Sequence, residues 1–476
     1  MGGFSDHLNA PLARGHLPAG AATGAAGGAA CGDLVRVSVV VEGDRVADAG
    51  FDAAGCGAAL AAGSAAVSLV RGHPLLDALR VGPDAIAAEL GGLSPGKRHA
   101  AELASDALAR ALGAAARADA RLAPSPARVL VAMSGGVDST VAALLEARAG
   151  AHVVAVTLEL WADPANDGDR SCCSAQAVRG ARSLAQGMDI PHITLDLREE
   201  FRAGVVQPFL DDHAAGLTPN PCVRCNGHVR LDAMLALAER LGACRGLATG
   251  HYARVRDGLL HTAADPAKDQ SYMLAATTPA TLARLRFPLG ELTKPEVRAL
   301  ASEAGLPVAS KADSQDLCFL AGTDRASFLA RHGGQRGRPG EIVDRDGEVR
   351  GRHRGHQHYT VGQRRGLGVA ATEPLYVLAT DPVRNRVTVG PRSELRGERV
   401  VVRAATLHRD GAAVDRVKLR YRSRPLPARV AGTPPAGAHG RLELELGEPV
   451  DGAAPGQTAC LMAGDTIVGH ATIARS

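Results

Sequence analysis

The 476-residue sequence has few features of a membrane or secreted protein. It contains no run of 18 uninterrupted apolar residues, so no membrane span is expected. Its N-terminus lacks the charged-then-apolar pattern of a secretory signal. Aromatic residues make up only 3% of the chain, although 46% is hydrophobic, which is enough for cores rich in small side chains. We therefore expect a cytoplasmic protein with about three or four domains.

The charge and the cysteine content further restrict the possible functions and the compartment of the protein. The nine cysteines occur without a secretory signal, which favours thiol or metal chemistry in a reducing compartment over a disulfide framework. The net charge of +4 is too small to indicate a nucleic-acid partner. Arginine and histidine are concentrated in residues 335–365, and arginine recurs at 417–429. These runs are compatible with a nucleic-acid surface or with an ordinary solvated basic face.

The N-terminal region predicts a small α+β domain. Residues 1–30 are rich in glycine and alanine and are expected to be loose to about residue 20. Alternating valines from 35 to 41, a turn and residues 45–51 predict two strands. Apolar residues at helical spacing between 100 and 111 predict an amphipathic helix. We place the end of this domain at residue 118 and a linker at 119–127.

Four polar residues at the ends of these elements form a candidate metal-ligand set: Cys31, Asp33, Cys56 and His99. The alternative is two unrelated cysteines and a histidine that caps a helix. The strings Ala-Cys-Gly-Asp at 30–33, Gly-Cys-Gly at 55–57 and Lys-Arg-His at 97–99 resemble the iron–sulfur scaffold domain of the NifU/IscU type. That family has a cysteine directly after the histidine, where this chain has Ala100. Three interpretations follow from the resemblance and this missing cysteine. The region could keep a vestigial cluster site, bind a metal with the remaining ligands, or serve as a docking module for a sulfur donor.

The segment from Val129 to Thr140 predicts a phosphate-binding turn between a buried strand and a helix. Its Ser-Gly-Gly-Val-Asp-Ser core supplies a glycine pair that permits positive φ, and N–H groups at the helix start favour an anion. No Gly-Lys-Ser/Thr follows, which excludes the Walker type. The string resembles the pyrophosphate loop of ATP-pyrophosphatases, and this implies cleavage of ATP between its α- and β-phosphates.

The remaining pattern places this loop in a layered domain. Apolar runs at 153–157, 193–195 and 246–249 alternate with helical segments, which predicts a doubly wound parallel sheet with ligands at the carboxyl ends of its strands. After about residue 330, short β-like runs dominate. We predict an ATP domain at 128–330, a β-rich module at 331–393 and a β-barrel at 394–476. The candidate ATP-binding residues are Ala132, Met133, Ser134, Gly135, Gly136, Val137, Asp138, Ser139, Leu158 and Gly250, with Asp138 orienting the loop or a Mg²⁺ ion.

Three cysteines of the ATP domain are candidates for thiol chemistry. Cys222 and Cys225 form a CxxC on a loop that enters a helix, and Cys318 lies far downstream. A helix N-terminus and the adjacent Arg224 would favour a reactive thiolate. Structural zinc is the alternative, although it usually takes four protein ligands. The adjacent pair Cys172 and Cys173 is interpreted as structural or peripheral.

Many strings in one order resemble tRNA-specific 2-thiouridylases of the MnmA type, from about residue 127 to the C-terminus. They include Met-Ser-Gly-Gly-Val-Asp-Ser at 133–139, Thr-Pro-Asn-Pro-Cys at 218–222, Lys-Asp-Gln-Ser-Tyr at 268–272 and Ser-Gln-Asp-Leu-Cys-Phe at 314–319. The resemblance implies that ATP adenylates the oxygen on carbon 2 of the wobble uridine in tRNA. It also implies tRNA acceptors for Lys, Glu and Gln, and a sulfur donor such as a cysteine desulfurase or a sulfur-relay protein.

The same resemblance implies residue roles. Cys318 would carry a persulfide, and Cys225 would release its sulfur through a transient Cys225–Cys318 disulfide or as hydrosulfide. The implied tRNA-binding residues are Asn220, Pro221, Cys222, His251, Lys268, Asp269, Gln270, Arg420, Tyr421 and Gln457. Individually, several of these side chains could instead cap turns, face solvent or pack at a barrel rim.

One departure from the family suggests a second sulfur carrier. Many members have aspartate where this chain has Cys222, so Cys222, Cys225 and Cys318 supply three thiolates. Three thiolates hold a cubane cluster with one open iron, and we hypothesise an oxygen-sensitive [4Fe–4S] cluster here. Two rival functions remain at this stage. One is an iron–sulfur cluster assembly protein with a regulatory ATP-binding domain, and the other is a small-molecule synthetase that uses the same loop.

Overall fold

The N-terminal region is a three-stranded antiparallel sheet covered by helices. The computed structural model of the chain describes residues 3–28, 32–163, 174–312 and 317–475. The sheet order is β1-β2-β3. The strands are β1 (Ala22–Gly27), β2 (Leu34–Glu42) and β3 (Arg45–Ala54), and the helices are α1 (Phe4–Asn9), α2 (Gly57–Val70), α3 (Leu75–Ala78), α4 (Pro83–Glu89) and α5 (Arg98–Ala118). Within the described ranges, no helix combines the length and apolar character needed to cross a bilayer.

The prediction of a loose N-terminus is wrong. The glycine- and alanine-rich segment contains α1 and the edge strand β1, which pairs with β2 in register from Ala22 opposite Val39. Its small side chains serve close packing, because a Cβ on Gly24 would overlap the backbone of α5 at Ala107. Composition alone therefore indicated disorder where the chain uses glycine to bring a helix onto a strand.

The ATP domain contains the predicted parallel sheet. Within the described ranges its order is β10-β7-β4-β5-β6, with every neighbouring pair parallel. These strands are β4 (Arg128–Ala132), β5 (His152–Glu159), β6 (His192–Asp196), β7 (Leu247–Thr249) and β10 (Leu285–Arg286). The helices are α6 (Val137–Arg148), α7 (Ala175–Gly187), α8 (Arg198–Phe201), α9 (Gln207–Ala214), α10 (Pro221–Cys225), α11 (Leu231–Arg240), α12 (Pro279–Leu282), α13 (Lys294–Glu303) and α14 (Arg325–Gly333).

The N-terminal region and the parallel sheet share one hydrophobic core. Helix α5 packs on the edge strand β6, where Gly113 is needed because a Cβ would overlap the carbonyl oxygen of Thr194. Buried residues of both regions, among them Leu108 and Ile193, belong to the same cluster. The segment predicted as a linker is held on both sides, since Arg121 N–H donates to Gly43 O and Leu122 N–H donates to Arg240 O. The two regions are therefore packed as one body.

The C-terminal third is β-rich, as the sequence predicts. A four-stranded sheet of order β12-β11-β14-β13 consists of β11 (Gly340–Val343), β12 (Val349–His353), β13 (Tyr376–Asp381) and β14 (Arg386–Gly390). Six further strands close a barrel because β15 pairs with both β18 and β20. They are β15 (Arg396–Leu407), β16 (Arg416–Lys418), β17 (Leu426–Val430), β18 (Gly437–Asp451), β19 (Thr458–Ala463) and β20 (Thr466–Ile473).

The barrel sheet also takes in two strands from the ATP domain, which the sequence did not indicate. A hairpin of β8 (Arg254–Arg256) and β9 (Leu259–His261) continues the sheet beyond β20. Leu260 of β9 lies opposite Ile467 of β20. The ATP domain and the barrel are therefore joined by strand pairing as well as by the chain itself.

The close approach of α5 to β6 predicts a stability effect. Replacing Gly113 by alanine should cost about 1–3 kcal/mol, because the new methyl group meets a backbone carbonyl that cannot rotate away. Thermal and urea unfolding would measure this loss. The matched control is Gly187→Ala in α7, where a Cβ meets no atom within 4 Å and stability should not fall. Equal stability of the two variants would contradict the packing described here.

Candidate functional site

A cavity of about 1170 Å³ opens at the carboxyl ends of the parallel strands. Residues of the loop after β4, the CxxC helix α10, the segment around Cys318 and part of the barrel line it. The ATP candidates on its wall are Ala132, Met133, Ser134, Gly136, Val137, Asp138, Ser139, Leu158 and Gly250. Gly135 lies in the same loop, directly behind this wall.

The loop between β4 and α6 has the backbone geometry expected of a phosphate cradle. Gly135 adopts φ +71°, a left-handed conformation that favours glycine. Gly136 caps α6 in an extended conformation, and the Ser139 hydroxyl donates to its carbonyl oxygen at 3.1 Å. Gly250 allows β7 to approach this turn, because a Cβ there would lie 2.7 Å from the Ser139 backbone nitrogen. The first turn of α6 is thereby fixed against the end of the sheet, with its N-terminus at the cavity.

Asp138 is held by two side chains that the loop motif does not contain. The Lys294 ammonium donates to both carboxylate oxygens at 2.7 and 2.8 Å, and the Tyr252 hydroxyl donates to Oδ1 at 2.8 Å. Lys294 is buried, with 7% of its surface exposed. A second lysine, Lys311, donates to the carbonyl oxygen of Gly135 at 2.9 Å and lines the cavity. Two cations therefore stand beside a loop that is shaped for phosphate.

The three candidate cysteines line the same cavity. Cys222 and Cys225 lie within α10 itself, Cys225 as its last residue. The Asn220 side chain caps this helix by accepting from the N–H groups of Cys222 and Val223. Cys225 is buried with 6% of its surface exposed, whereas Cys222 and Cys318 are partly exposed. A π-helical turn at Asn226–Arg230 follows α10 directly and contributes both of its end residues to the cavity.

An aromatic cluster anchors the segment that carries Cys318. The ring of Phe319 contacts those of Phe209 and Phe328, each with centroids 5.1 Å apart, and that of Phe201 at 5.9 Å. Trp161 packs on Phe328 from the other side. In a chain with only 3% aromatic residues, this concentration fixes the backbone next to the Cys318 thiol.

The residues implied in tRNA binding fall into two groups. Pro221, Cys222, His251, Lys268, Asp269, Gln270 and Tyr421 line the cavity. The other three make supporting contacts beside it. Asn220 caps α10, Gln457 donates to Thr218 O at 2.9 Å, and Arg420 donates to Gly452 O at 2.8 Å. The roles of all ten residues toward tRNA stay predictions. In the structure, the Gln457 hydrogen bond joins the loop before α10 to the barrel.

Two titratable side chains at the cavity are held in defined states. Burial, with a smaller effect of the Arg230 charge, lowers the pKa of His251 to about 3, so its imidazole is neutral at physiological pH. Its Nδ1 shares a hydrogen bond of 2.8 Å with the Thr249 hydroxyl. Burial also raises the pKa of the Tyr421 phenol, which therefore stays protonated. Both groups meet a ligand as neutral hydrogen-bonding partners.

Part of the N-terminal metal-ligand prediction is brought together. Within the described ranges, one set of three or more ligand-type side chains has its ligand atoms within 4.8 Å of one another: Asp33, Cys56 and His99. Hydrogen bonds from the Cys56 thiol and N–H lower the pKa of the Asp33 carboxyl, and His99 adds a bond of 3.1 Å. Cys31, Cys172 and Cys173 lie outside the described residues, as do the first three residues of the 314–319 string.

The side chains that sequence reasoning missed are mainly basic: Arg230, Lys311, Lys418 and Arg422 line the cavity, and Lys294 lies behind it on Asp138. Lys294 had a detectable signal. It occupies the first position of α13, directly after the N-cap residue Thr293, where a cation opposes the helix dipole. A lysine at that position is unfavourable for the helix alone, which indicates a partner elsewhere in the fold.

Comparisons with known proteins agree with this arrangement along the whole chain. Residues 3–119 match the NifU-like N terminal domain, and residues 127–322 match the tRNA methyl transferase HUP domain. Residues 326–391 match the tRNA methyl transferase PRC-barrel domain, and residues 397–473 match the aminomethyltransferase beta-barrel domain.

Curated relatives extend the same result. A protein of Rubrobacter xylanophilus named bifunctional protein NifU/MnmA is 46% identical over 485 aligned residues, which cover 99% of this chain and 97% of that protein. Proteins named tRNA-specific 2-thiouridylase MnmA from Xanthobacter autotrophicus and Methylorubrum extorquens are each 46% identical, covering 74% of this chain and 94% of their own length.

The ion pair at the loop predicts a binding effect. Lys294→Met should weaken ATP binding about tenfold or more, because the Asp138 carboxylate is left without its cation beside the phosphate cradle. Isothermal titration with ATP measures this affinity. The control is Lys97→Met in the N-terminal region, whose ammonium lies over the Phe4 ring. Unchanged ATP affinity in Lys294→Met would show that the pair does not support the nucleotide site.

Proposed function

The chain belongs to the family of bifunctional NifU/MnmA proteins, and we propose that it adenylates and then thiolates carbon 2 of the wobble uridine of tRNA within a single cavity. It is a tRNA-uridine 2-sulfurtransferase fused to a NifU-like region. The tRNAs for Lys, Glu and Gln are the expected substrates.

The observation that carries the proposal is the shared cavity. The phosphate-shaped loop at 134–139, the thiol-bearing residues Cys225 and Cys318, and polar residues from the barrel side all line one space. A small-molecule synthetase would need the loop alone. Adjacent ATP and thiol groups suit a reaction in which an activated intermediate is attacked by sulfur before water reaches it.

In the first step, the uridine oxygen on carbon 2 attacks the α-phosphorus of ATP, and pyrophosphate leaves. The N-terminus of α6 and the flanking loop bind the phosphates, and Lys294 and Lys311 offset their negative charge. Mg²⁺, which we expect to enter with ATP, supplies further charge neutralisation of the phosphates. Asp138 serves this step by orienting the loop through Lys294 and Tyr252.

In the second step, the outer sulfur of a persulfide on Cys318 attacks carbon 2, and AMP leaves. The Cys225 thiolate then attacks the inner sulfur of Cys318, which breaks the persulfide S–S bond and leaves the outer sulfur on the base. The resulting Cys225–Cys318 disulfide is reduced by an external thiol, and a donor such as a cysteine desulfurase reloads Cys318. The partial exposure of Cys318 suits loading from a donor, and the burial of Cys225 suits a resolving thiol.

The three thiols also fit the donor set of an iron–sulfur cluster, which we keep as the alternative carrier. Cys222, Cys225 and Cys318 would be its protein ligands, because soft thiolates on one cavity wall match iron–sulfur chemistry. Such a cluster would present one open iron that can bind sulfide. In the described structure the three thiol sulfurs are not all within 4.8 Å of one another, so they are not arranged to bind one metal ion. A cubane cluster does not need that arrangement, because each of its cysteine ligands binds a different iron.

The NifU-like region supports an accompanying metal-binding function. Asp33, Cys56 and His99 offer carboxylate, thiolate and imidazole ligands, a set that suits zinc or ferrous iron. With Ala100 buried where scaffold proteins have a further cysteine, we propose that this region binds metal or docks a sulfur donor without assembling a cluster itself. The missing cysteine at position 100 argues against cluster assembly as the main function.

The persulfide route predicts which cysteines are essential. Cys225→Ser and Cys318→Ser should each abolish formation of 2-thiouridine while keeping pyrophosphate release, because they remove sulfur chemistry and leave the loop intact. Nucleoside mass spectrometry of tRNA treated with each variant measures this, as does tRNA from cells that lack the protein. The control is Cys244→Ser, an exposed cysteine outside the cavity lining. Unchanged 2-thiouridine in the cells without this protein would refute the proposed function.

The cluster alternative has a separate test. Iron and acid-labile sulfide are measured in the anaerobically purified full chain carrying Cys56→Ser, which removes a ligand of the N-terminal set. A cluster predicts about four irons per chain, lost when Cys222→Ser is added. Absence of iron with persulfide-supported thiolation leaves the persulfide route, and full anaerobic activity of Cys222→Ser excludes the cluster.

A further inference from the structure

A buried ion pair crosses from the NifU-like region into the ATP domain. Asp106 of α5 bonds the guanidinium of Arg182, and Arg179 adds a contact of 3.3 Å. Asp106 and Arg182 expose only 9% and 7% of their surfaces. Both arginines lie on one face of α7, three residues apart, so the carboxylate holds this helix at two neighbouring positions.

Helix α7 forms the wall behind the pyrophosphate loop. Gln176, Ala177 and Gly180 line the ATP cavity. A Cβ on Gly135 would lie 3.3 Å from the Ala177 carbonyl oxygen and equally close to the Ala181 nitrogen, so the loop and the helix are in direct contact. A shift of α7 would therefore move the wall against which the left-handed turn at Gly135 rests.

A second route joins the same two regions through His192 of β6. Its backbone N–H donates to Leu79 O of the NifU-like region at 3.2 Å. Its Nε2 lies 2.8 Å from the Thr157 hydroxyl, which donates to the carbonyl oxygen of Met133 at 2.7 Å. Because that hydroxyl has one proton, Nε2–H is the donor to Thr157. Burial, with a smaller effect of the Arg182 charge, lowers the pKa of His192 to about 3, in keeping with this neutral form.

Buried ion pairs contribute little net stability compared with apolar packing, but they fix geometry. Here two routes start in the NifU-like region and end at the two sides of the same loop. The ion pair on α7 reaches Gly135 through backbone packing, and the His192 hydrogen bonds reach Met133. Apolar contact between α5 and β6 already joins the two regions in one core. We therefore expect the ion pair and the His192 hydrogen bonds to set the position of the loop.

We propose that Asp106 is a positioning residue for ATP: the NifU-like region completes the nucleotide site of the ATP domain by holding α7 behind the pyrophosphate loop. This inference rests on the proposed function for its reaction and on the described contacts for its geometry. The NifU-like region is thus a structural part of the adenylating machinery, in addition to any metal that it binds.

The test removes the charge pair without leaving a buried charge unpaired. The double variant Asp106→Asn/Arg182→Gln keeps the size of the Asp106 side chain and replaces the Arg182 guanidinium by a smaller neutral amide. We expect the KM for ATP and the ATP dissociation constant to rise about tenfold, while the KM for tRNA stays unchanged. A merely structural role would lower the unfolding temperature and leave the KM for ATP as it is, which would overturn the proposal.

The matched control is Asp48→Asn/Arg71→Gln, which removes a surface ion pair of the same region. It should leave both KM values unchanged. If the main double variant does not fold, Arg182→Lys decides, because it keeps the charge and loses the planar fork. A rise in the KM for ATP alone supports the proposal, and an unchanged KM overturns it. Failure of the wild-type chain to thiolate tRNA would refute the proposed function, whereas the ATP dissociation constants of the variants still test the positioning role.

Discussion

The structure depends on a close backbone approach at the carboxyl end of the parallel sheet. Strand β7 reaches the first turn of α6 only because Gly250 has no side chain, and the turn itself needs the left-handed conformation of Gly135. This approach fixes the helix N-terminus at the cavity, and Lys294 and Lys311 then attach the surrounding segments to the same turn. The thiols and part of the barrel face the same cavity as this helix N-terminus, whose position depends on Gly135 and Gly250.

The fusion of a NifU-like region changes how the ATP domain is built. An edge strand such as β6 needs cover on its exposed faces, and in this chain α5 provides it from another region. The residues between the two regions are hydrogen-bonded to both and do not act as a free tether. The Asp33–Cys56–His99 set therefore has a fixed position relative to the cavity of the ATP domain, because His99 lies in the first turn of α5, the helix that packs on the sheet.

Local patterns in the sequence were sufficient for much of the fold. The apolar run at Val129, its Ser-Gly-Gly continuation and the β-like runs after residue 330 each predict their own element, so the parallel sheet, the loop and the barrel are confirmed. Features set by distant partners were not predictable. The glycine- and alanine-rich composition gave no indication of strand β1. The strands of the β8–β9 hairpin are three residues long and join a sheet only by pairing with β20 near the C-terminus. Lys294 lies 156 residues from Asp138, so no local spacing links them.

The roles of individual cysteines and tRNA-binding residues stay predictions, since geometry alone does not assign chemistry.

The pairing of β9 with β20 constrains the order in which the chain can fold. Leu260 is synthesised long before its partner Ile467, and at about 5–20 residues per second the ribosome needs on the order of 10–40 s to cover that interval. During this time the hairpin edge has no partner from the barrel, whereas the NifU-like region and, early in the interval, the last parallel strand β10 have been synthesised. Contacts of such long sequence separation also slow folding through the cost of loop closure. The nascent protein therefore passes through a stage with an assembled nucleotide domain and an open strand edge, at which chaperones or premature strand pairing would compete with the barrel.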